Sequence, residues 1–243
     1  MYLSIGISFL LLVLPLVENT LFASNALRIT FAEKGLDQTR TNDFNQSITT
    51  RLSGGESFER GNFLTTGPDS YGELSGEFPR LIRLGSNSIL EWKSLREWKL
   101  YEGSTLFCLE FDNTITLDSK NSSTEITGPT TFIAECTSNG GLKFIILSGS
   151  PTLKNSTKSI KLPGGRLVLV TSSSFGNAYD IDLLLLLQSS RLFAGFENPL
   201  PSMKKIGLAV FAQHTKLQGK YNALIGDATS DKDLQLYIMG VGK

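Results

Sequence analysis

Short β-prone runs separated by glycines constrain the fold of this chain more than any other feature of its sequence. From Phe58 onward, runs rich in Thr, Val, Ile and Phe each end at a glycine, and another run follows. The turn glycines are Gly67, Gly85, Gly103, Gly128, Gly149 and Gly164. Glycine tolerates the backbone angles of tight turns, and β-branched and aromatic residues favour strands. Turns about 15 to 25 residues apart leave room for one or two strands each, which predicts an all-β body.

The runs between these glycines show two hydrophobic patterns. Side chains in Leu106–Phe111 are predicted to face the two sides of a strand in alternation. Leu142–Leu147 and Leu167–Val170 are almost uniformly apolar, which is typical of central strands buried on both faces. We therefore expect residues 27–178 to form a mainly β domain, built either as a sandwich or as a solenoid-like stack of turns.

The last part of the sequence, residues 179–243, changes to a helical pattern. Asp180 and Asp182 precede the leucine run Leu183–Leu187. Aspartate is a good helix N-cap because its carboxylate accepts the free backbone N–H groups of the first turn. We expect a helix that continues to Phe193, although a fully buried strand is the alternative for so short an apolar run.

Glycine and proline residues divide the remainder of this C-terminal segment. Gly195 and Pro199 are predicted to end the first helix. A second helix is expected to start near Pro201, with proline in its first turn, and to run to about Leu217. The stretch Leu234–Met239 is predicted to form one more strand.

The first predicted helix has more apolar surface than one helix face can hide. We interpret it as a candidate interaction helix, and we expect the helical pair to cap the open end of the β stack while leaving a residual apolar patch for a partner. The candidate contact residues are Leu183, Leu185, Leu187, Leu192 and Phe193.

Residues 1–26 have the pattern of an export signal. Leu3–Val17 is free of charge and mostly apolar, but it is shorter than the ~20 apolar residues that span a bilayer. Ser24-Asn25-Ala26 supplies the small residues that a signal peptidase recognises, so we expect cleavage after Ala26 and a mature chain beginning at Leu27, with cleavage after Ala23 as the second choice. A buried first element and a retained signal anchor are the alternatives. We expect no transmembrane helix in the mature chain.

Composition excludes several classes of function. With 23 basic and 23 acidic residues the net charge is zero, so the basic face that nucleic-acid binders need is not expected. His214 is the only histidine and there are two cysteines, which argues against multi-histidine metal sites and four-thiolate clusters. No serine lies in a G-x-S-x-G motif. We therefore expect a protein that is not an enzyme and that has no cofactor or metal.

Trp92 and Trp98 bracket the charged stretch 93–97. Aromatic side chains beside charges can form a binding patch for a sugar or a protein. If both tryptophans lie on one strand, their spacing places them on the same face. Stacking within the core is the alternative interpretation.

Cys108 and Cys136 both lie on predicted strands. In an oxidising compartment they can form a disulfide if neighbouring strands bring their Cα atoms into range. Two buried free thiols are the alternative.

Several segments of the β body resemble, in order, the FecR domain family. The corresponding segments are 66–70 (TGPDS), 83–88 (RLGSNS), 100–104 (LYEGS), 126–132 (ITGPTTF), 146–150 (ILSGS) and 162–166 (LPGGR). The resemblance covers about residues 55–172. It implies a β fold, an extracytoplasmic setting and a role in protein contact, since the named family relays signals from outer-membrane transporters to a cytoplasmic sigma factor.

The sequence therefore predicts an exported, non-enzymatic, stand-alone FecR-like protein of the periplasm or cell envelope. Its expected role is that of a scaffold, sensor or protein-interaction module that has an envelope protein as partner and takes part in signal transduction. The alternative is a protein that binds a cell-envelope carbohydrate or polymer through the region of Trp92 and Trp98. The sequence does not identify a small-molecule ligand.

Overall fold

The chain is described by a computed structural model that covers residues 26–41, 44–217, 223–225 and 236–238. Except for Ala26, the predicted signal peptide lies outside the described residues. The strands are β1 (Ala26–Glu33), β2 (Leu36–Thr41), β3 (Ser47–Leu52), β4 (Ser57–Glu59), β5 (Phe63–Thr66), β6 (Tyr71–Ser75), β7 (Leu81–Leu84), β8 (Ile89–Ser94), β9 (Glu97–Glu102), β10 (Ser104–Leu109), β11 (Thr114–Asp118), β12 (Ser123–Thr127), β13 (Thr130–Cys136), β14 (Leu142–Gly149), β15 (Thr152–Lys154), β16 (Ser159–Lys161), β17 (Arg166–Val170), β18 (Tyr179–Asp180), β19 (Ala223–Ile225) and β20 (Leu236–Ile238). The helices are α1 (Leu183–Ser189), α2 (Arg191–Ala194) and α3 (Met203–Leu217).

Two nine-stranded sheets form a sandwich. Sheet 1 has the order β18-β17-β14-β13-β10-β7-β6-β1-β4, and sheet 2 has the order β16-β15-β12-β11-β9-β8-β5-β2-β3. The chain passes back and forth between the two sheets, so the strands of each sheet follow one another roughly in sequence order. Most neighbours pair antiparallel, and β9 pairs with β11 in parallel. The prediction of a mainly β domain is confirmed. The fold has features of both expected forms, because it is a two-sheet sandwich in which successive turns of the chain add neighbouring strands, as in a solenoid.

The main core lies between the two sheets. A row of aromatic rings runs through it, each within 6 Å of the next, from Trp92 and Trp98 through Phe107 and Phe132 to Phe144. All five side chains are fully buried. Such rings bury a large apolar area, which drives the two sheets together.

A second core lies on the outer face of sheet 1. Ile133, Ile145 and Leu167 point away from sheet 2 and pack against Leu183 and Ile206 of the helices. This layer explains why Leu142–Leu147 is apolar at nearly every position: one face of β14 meets sheet 2 and the other meets α3. The prediction of burial on both faces is confirmed for β14. In β17 it is confirmed for Leu167, Val168 and Val170 but is wrong for Leu169, which is exposed.

The helices follow the predicted positions with one difference. Asp182 is the N-cap of α1, and its carboxylate accepts a 2.9 Å hydrogen bond from the backbone N–H of Leu185. Asp180 instead lies in β18, 3.3 Å from Arg166. The expected single helix to Phe193 is wrong, because Ser190 adopts an extended conformation that ends α1 and caps α2.

The helical segment does not cap the end of the β stack as expected. Its apolar side chains lie flat over the outer face of sheet 1, because that face is itself apolar. The predicted strand within Leu234–Met239 is present as β20, and it pairs with β19. Among the described residues, no helix is long and apolar enough to cross a membrane.

Candidate functional site

The tryptophan pair does not form a binding patch. Trp92 on β8 and Trp98 on β9 lie directly opposite each other across a hairpin, not on one strand. Their rings stack with centroids 5.2 Å apart and planes 3° from parallel, and the exposed fraction of each side chain is 0%. The prediction of an exposed patch is wrong. The alternative, stacking within the core, is what the structure shows.

Cys108 and Cys136 are not bridged. Both are free thiols. Cys108 lies opposite Thr131 in the pairing of β10 with β13, whereas Cys136 ends β13 five positions further along. Cys108 packs under the helices, and Cys136 faces the core between the sheets. Because the two thiols lie on opposite faces and about 17 Å apart along the strand direction, the disulfide prediction is wrong.

The residues of the candidate interaction helix serve mainly as an anchor to sheet 1. Leu183 and Leu192 are buried, and Leu187 and Phe193 pack partly against the same cluster. Leu185 is half-buried, and the exposed leucine of this run is Leu184. The expected residual apolar patch exists, but most of it lies on the next helix.

Helix α3 has two apolar faces. Ile206, Ala209 and Val210 pack against the cluster over sheet 1. On the opposite side, Leu208 is 70% exposed and Phe211 is 71% exposed. Residues three apart on a helix are neighbours, so these two side chains form one stripe that points away from the body of the protein. We call Leu208 and Phe211 the outer stripe.

The outer stripe lies on a helix that carries only positive and neutral side chains. The sequence of α3 is MKKIGLAVFAQHTKL, which contains Lys204, Lys205 and Lys216 but no Asp or Glu. Lys204 and Lys205 are exposed. A surface of this kind is complementary to an acidic, partly apolar segment.

Buried polar contacts fix α3 to the sandwich. Gln213 accepts a 2.9 Å hydrogen bond from the backbone N–H of Leu183 and donates a 3.0 Å bond to the carbonyl of Gly165. At the start of the helix, the Thr131 hydroxyl donates to the Ser202 hydroxyl at 2.6 Å. The outer stripe is therefore presented on a rigid platform.

A buried arginine holds the segment between α2 and α3. Arg83 Nε donates to Glu73 Oε2 at 2.8 Å, and the two terminal nitrogens donate to the carbonyls of Leu192 and Asn198 at 2.8 and 2.6 Å. Thr30 in turn donates to Glu73 Oε1 at 2.7 Å. Burial lowers the pKa of Arg83, while the hydrogen bond and charge of Glu73 raise it. The sequence analysis did not predict this network. The available signal was Arg83, a charged residue within the otherwise apolar strand β7.

The chemical groups of the described residues suggest no metal centre. No cluster of three or more His, Cys, Asp or Glu side chains in the described ranges has the geometry to hold an ion. His214 is exposed on α3. Burial, followed by the charges of Glu135 and Glu102, raises the pKa of the Cys136 thiol to about 12, which disfavours the reactive thiolate at neutral pH.

Comparison with known proteins finds no matching family model and no matching curated protein. Among solved structures, two that resemble this chain are described as a "putative anti-sigma factor" from Parabacteroides distasonis ATCC 8503. The identities are 11% and 10%, with TM-scores of 0.42 and 0.40. Each match covers 52% of this chain and 64% of the other chain. A likeness of this size carries no argument about function.

Proposed function

We propose that this chain is an exported, non-enzymatic FecR-like protein that acts in the cell envelope as a protein-interaction module. The outer stripe of α3 is its docking surface, and the partner presents an acidic segment with apolar side chains. The observation that carries this proposal is the exposure of Leu208 and Phe211 on a helix whose other face is firmly packed.

Burial of the outer stripe by a partner contributes favourable free energy to binding. Fully burying a leucine or a phenylalanine contributes about 1.5–3 kcal/mol. Lys204 and Lys205 add attraction for acidic side chains and favour one partner over another. A binding surface on a helix fixed by Gln213 also loses little conformational entropy when a partner binds.

The FecR part of the proposal is supported by how three of the resembling segments meet. Thr66 Oγ1 donates to the carbonyl of Gly85 at 2.6 Å and accepts from the backbone N–H of Ser88 at 2.9 Å. Ser88 Oγ accepts from the backbone N–H of Ser104 at 2.9 Å. Gly103, with φ +73°, leaves no room for a Cβ, which would lie 2.2 Å from Ser88 Oγ. Residues from the three segments therefore form one buried junction between turns. This junction gives a physical reason for the order in which the segments occur in the sequence.

The non-enzymatic part of the proposal rests on the residue types available. The chain's single histidine is exposed, and burial keeps the Cys136 thiol protonated. The alternative function, binding of a cell-envelope carbohydrate or polymer through Trp92 and Trp98, is not supported, because both side chains are buried and inaccessible.

Export is tested by the N-terminus of the native protein. We expect the mature chain to begin at Leu27, which is buried in β1. N-terminal sequencing of protein recovered from its native cells checks this. A sequence beginning at Met1 would contradict export by cleavage.

The docking proposal is tested by capture from envelope extracts followed by cross-linking. We expect Leu208→Ser with Phe211→Ser to reduce capture of the partner at least about tenfold, since a tenfold change needs only about 1.4 kcal/mol. The matched control is Phe44→Ser with Ile48→Ser, an exposed aromatic and aliphatic pair near β3. This control is expected to leave capture unchanged.

Cross-linked peptides decide which chain occupies the outer stripe. The proposal requires cross-links from α3 to an acidic segment of another protein, weakened by Lys204→Glu with Lys205→Glu. Cross-links only to residues 218–243 of the same chain, or only to a second copy, would overturn it. Equal loss of capture in the Phe44 and Ile48 control would overturn it as well.

A further inference from the structure

A polar cleft lies at one end of the sandwich, away from the outer stripe. Its volume is about 1030 Å³, and it is formed where the turns after β11, β13, β15 and β17 come together beside the outer face of sheet 2. Ligand pockets in proteins usually measure about 300–1,000 Å³. The cleft is thus large enough for a ligand of several linked units.

The lining of this cleft is unusual in its chemistry. Among the described residues, it consists of hydroxyl, amide, lysine and carboxylate side chains with one glycine, and it includes no apolar side chain. An apolar ligand would gain nothing there. Hydroxyl and amide groups both donate and accept hydrogen bonds, so they match a ligand that is rich in hydroxyl groups.

Hydrogen bonds between the turns hold the cleft in shape. Ser119 Oγ shares a 2.9 Å bond with Ser122 Oγ and donates to the carbonyl of Gly140 at 2.8 Å. Asn121 Nδ2 donates to the carbonyl of Asn139 at 2.7 Å. The first two turns are therefore joined before any ligand arrives, which lowers the entropy lost on binding.

Positive charge is in excess along the cleft. Four lysines face two carboxylates. Asp118 is paired with Lys93 at 3.1 Å, and Glu125 is paired with Lys154 at 3.0 Å. Among the lining residues, Lys99 and the exposed Lys120 supply the surplus, and Lys99 lies 4.3 Å from the Tyr101 ring centroid and opposite Glu91 in the pairing of β8 with β9. The residues that line the cleft therefore carry more positive than negative charge, with Lys120 as the lysine best placed to meet an anionic group.

Asn155 is a buried polar side chain in the wall of this cleft. It is 5% exposed, and its Oδ1 accepts hydrogen bonds from the backbone N–H groups of Thr157 and Lys158. Within the described part of the chain, its Nδ2 has no hydrogen-bond partner. This nitrogen is itself inaccessible from the cleft, so the role of Asn155 is to fix the turn after β15 through its Oδ1.

We propose that this cleft binds an anionic, hydroxyl-rich polymer, with Lys99 and Lys120 contacting its acidic groups and the Ser, Thr and Asn side chains contacting its hydroxyls. The acidic groups are carboxylates, as in a polyuronate, or phosphodiesters, as in a polyol phosphate. The site is independent of α3 and of any protein partner bound there.

The test is calorimetric titration of the full chain with oligogalacturonate and, separately, with a glycerol phosphate oligomer. Binding of either probe is expected, and the probe that binds identifies the acidic group. Lys99→Ala with Lys120→Ala should weaken binding at least tenfold. The control Lys161→Ala removes an exposed lysine of the same sheet that lies outside the cleft, and it should leave affinity within twofold.

Three results would overturn this proposal. The first is no binding of either probe, and the second is an equal loss in the Lys161→Ala control. The third is equal affinity for inorganic polyphosphate, which carries charge without hydroxyl groups.

Discussion

Arg83 brings a positive charge into a site where only 1% of the side chain is exposed. Its guanidinium bridges Glu73 of β6 to backbone carbonyls that flank the end of α2, and its Cζ lies 4.1 Å from the centroid of the Phe196 ring. Arginine suits this position because its planar fork serves several acceptors at once. The side chain thereby fixes the helical segment that carries the outer stripe.

Removing this arginine should destabilise the protein strongly. Breaking a buried ion pair by deleting one partner costs about 3–5 kcal/mol, because the remaining charge is left buried. We expect Arg83→Ala to lower the free energy of unfolding by that amount in urea titration. The matched control is Arg80→Ala, because Arg80 lies 3.8 Å from Glu110 in an exposed pair and should change stability by about 0–1 kcal/mol. Equal losses for both variants would contradict the assigned role.

Cys136 should make stability fall at high pH. Burial raises the pKa of this thiol from 9.0 to about 12 in the folded protein, so above pH 9 the unfolded chain loses a proton that the folded chain keeps. Its contribution is fully present below pH 9 and is lost as pH rises toward 12. We expect Cys136→Ala to show a smaller decline than the wild type between pH 9 and 11, measured by urea titration at each pH. Parallel declines would be inconsistent with a buried protonated thiol.

At the scale of single elements, local signals predicted some features and missed others. The role of Asp182 as the N-cap of α1 follows from its position directly before the leucine run. The break between α1 and α2 at Ser190 was missed. A serine within an apolar run can either continue a helix or cap a new one, and the packing over sheet 1 determines which of the two occurs. The stacking of Trp92 on Trp98 depends on a hairpin between them, which spacing alone does not reveal.

Gly207 offers a test of α3 as a rigid platform. A Cβ at this position has no neighbour within 4 Å, so alanine fits without strain and reduces the entropy of the unfolded chain. We expect Gly207→Ala to raise the thermal midpoint, with a gain of about 0.4–1 kcal/mol. Gly103→Ala, where φ is +73°, should lower it instead. A lower midpoint for Gly207→Ala would show that α3 is not a regular helix there.

At the scale of the whole molecule, the glycine turns predicted the fold class but not the pairing of strands. Sheet order depends on contacts between distant segments, such as the parallel pairing of β9 with β11. The polar cleft was equally beyond sequence reasoning, because its lining residues range from Lys93 to Ser172 and none of them forms a recognised motif. The outer stripe was anticipated only as an apolar excess in the C-terminal segment.

The sandwich presents its two candidate surfaces on different parts of the molecule. The outer stripe lies over the outer face of sheet 1, and the polar cleft lies beside the outer face of sheet 2. Under the two proposals, this separation allows the protein to hold a polymer and a protein partner at the same time.

Photo-cross-linking at position 211 tests the central claim most directly. Phe211→benzoylphenylalanine places the reactive group on the outer stripe, and the same substitution at the exposed Phe44 is the control. In intact cells we expect position 211 to form an adduct with an acidic segment of another envelope protein, and position 44 to form no such adduct. No adduct at position 211, or the same adduct from both positions, would contradict α3 as the docking surface.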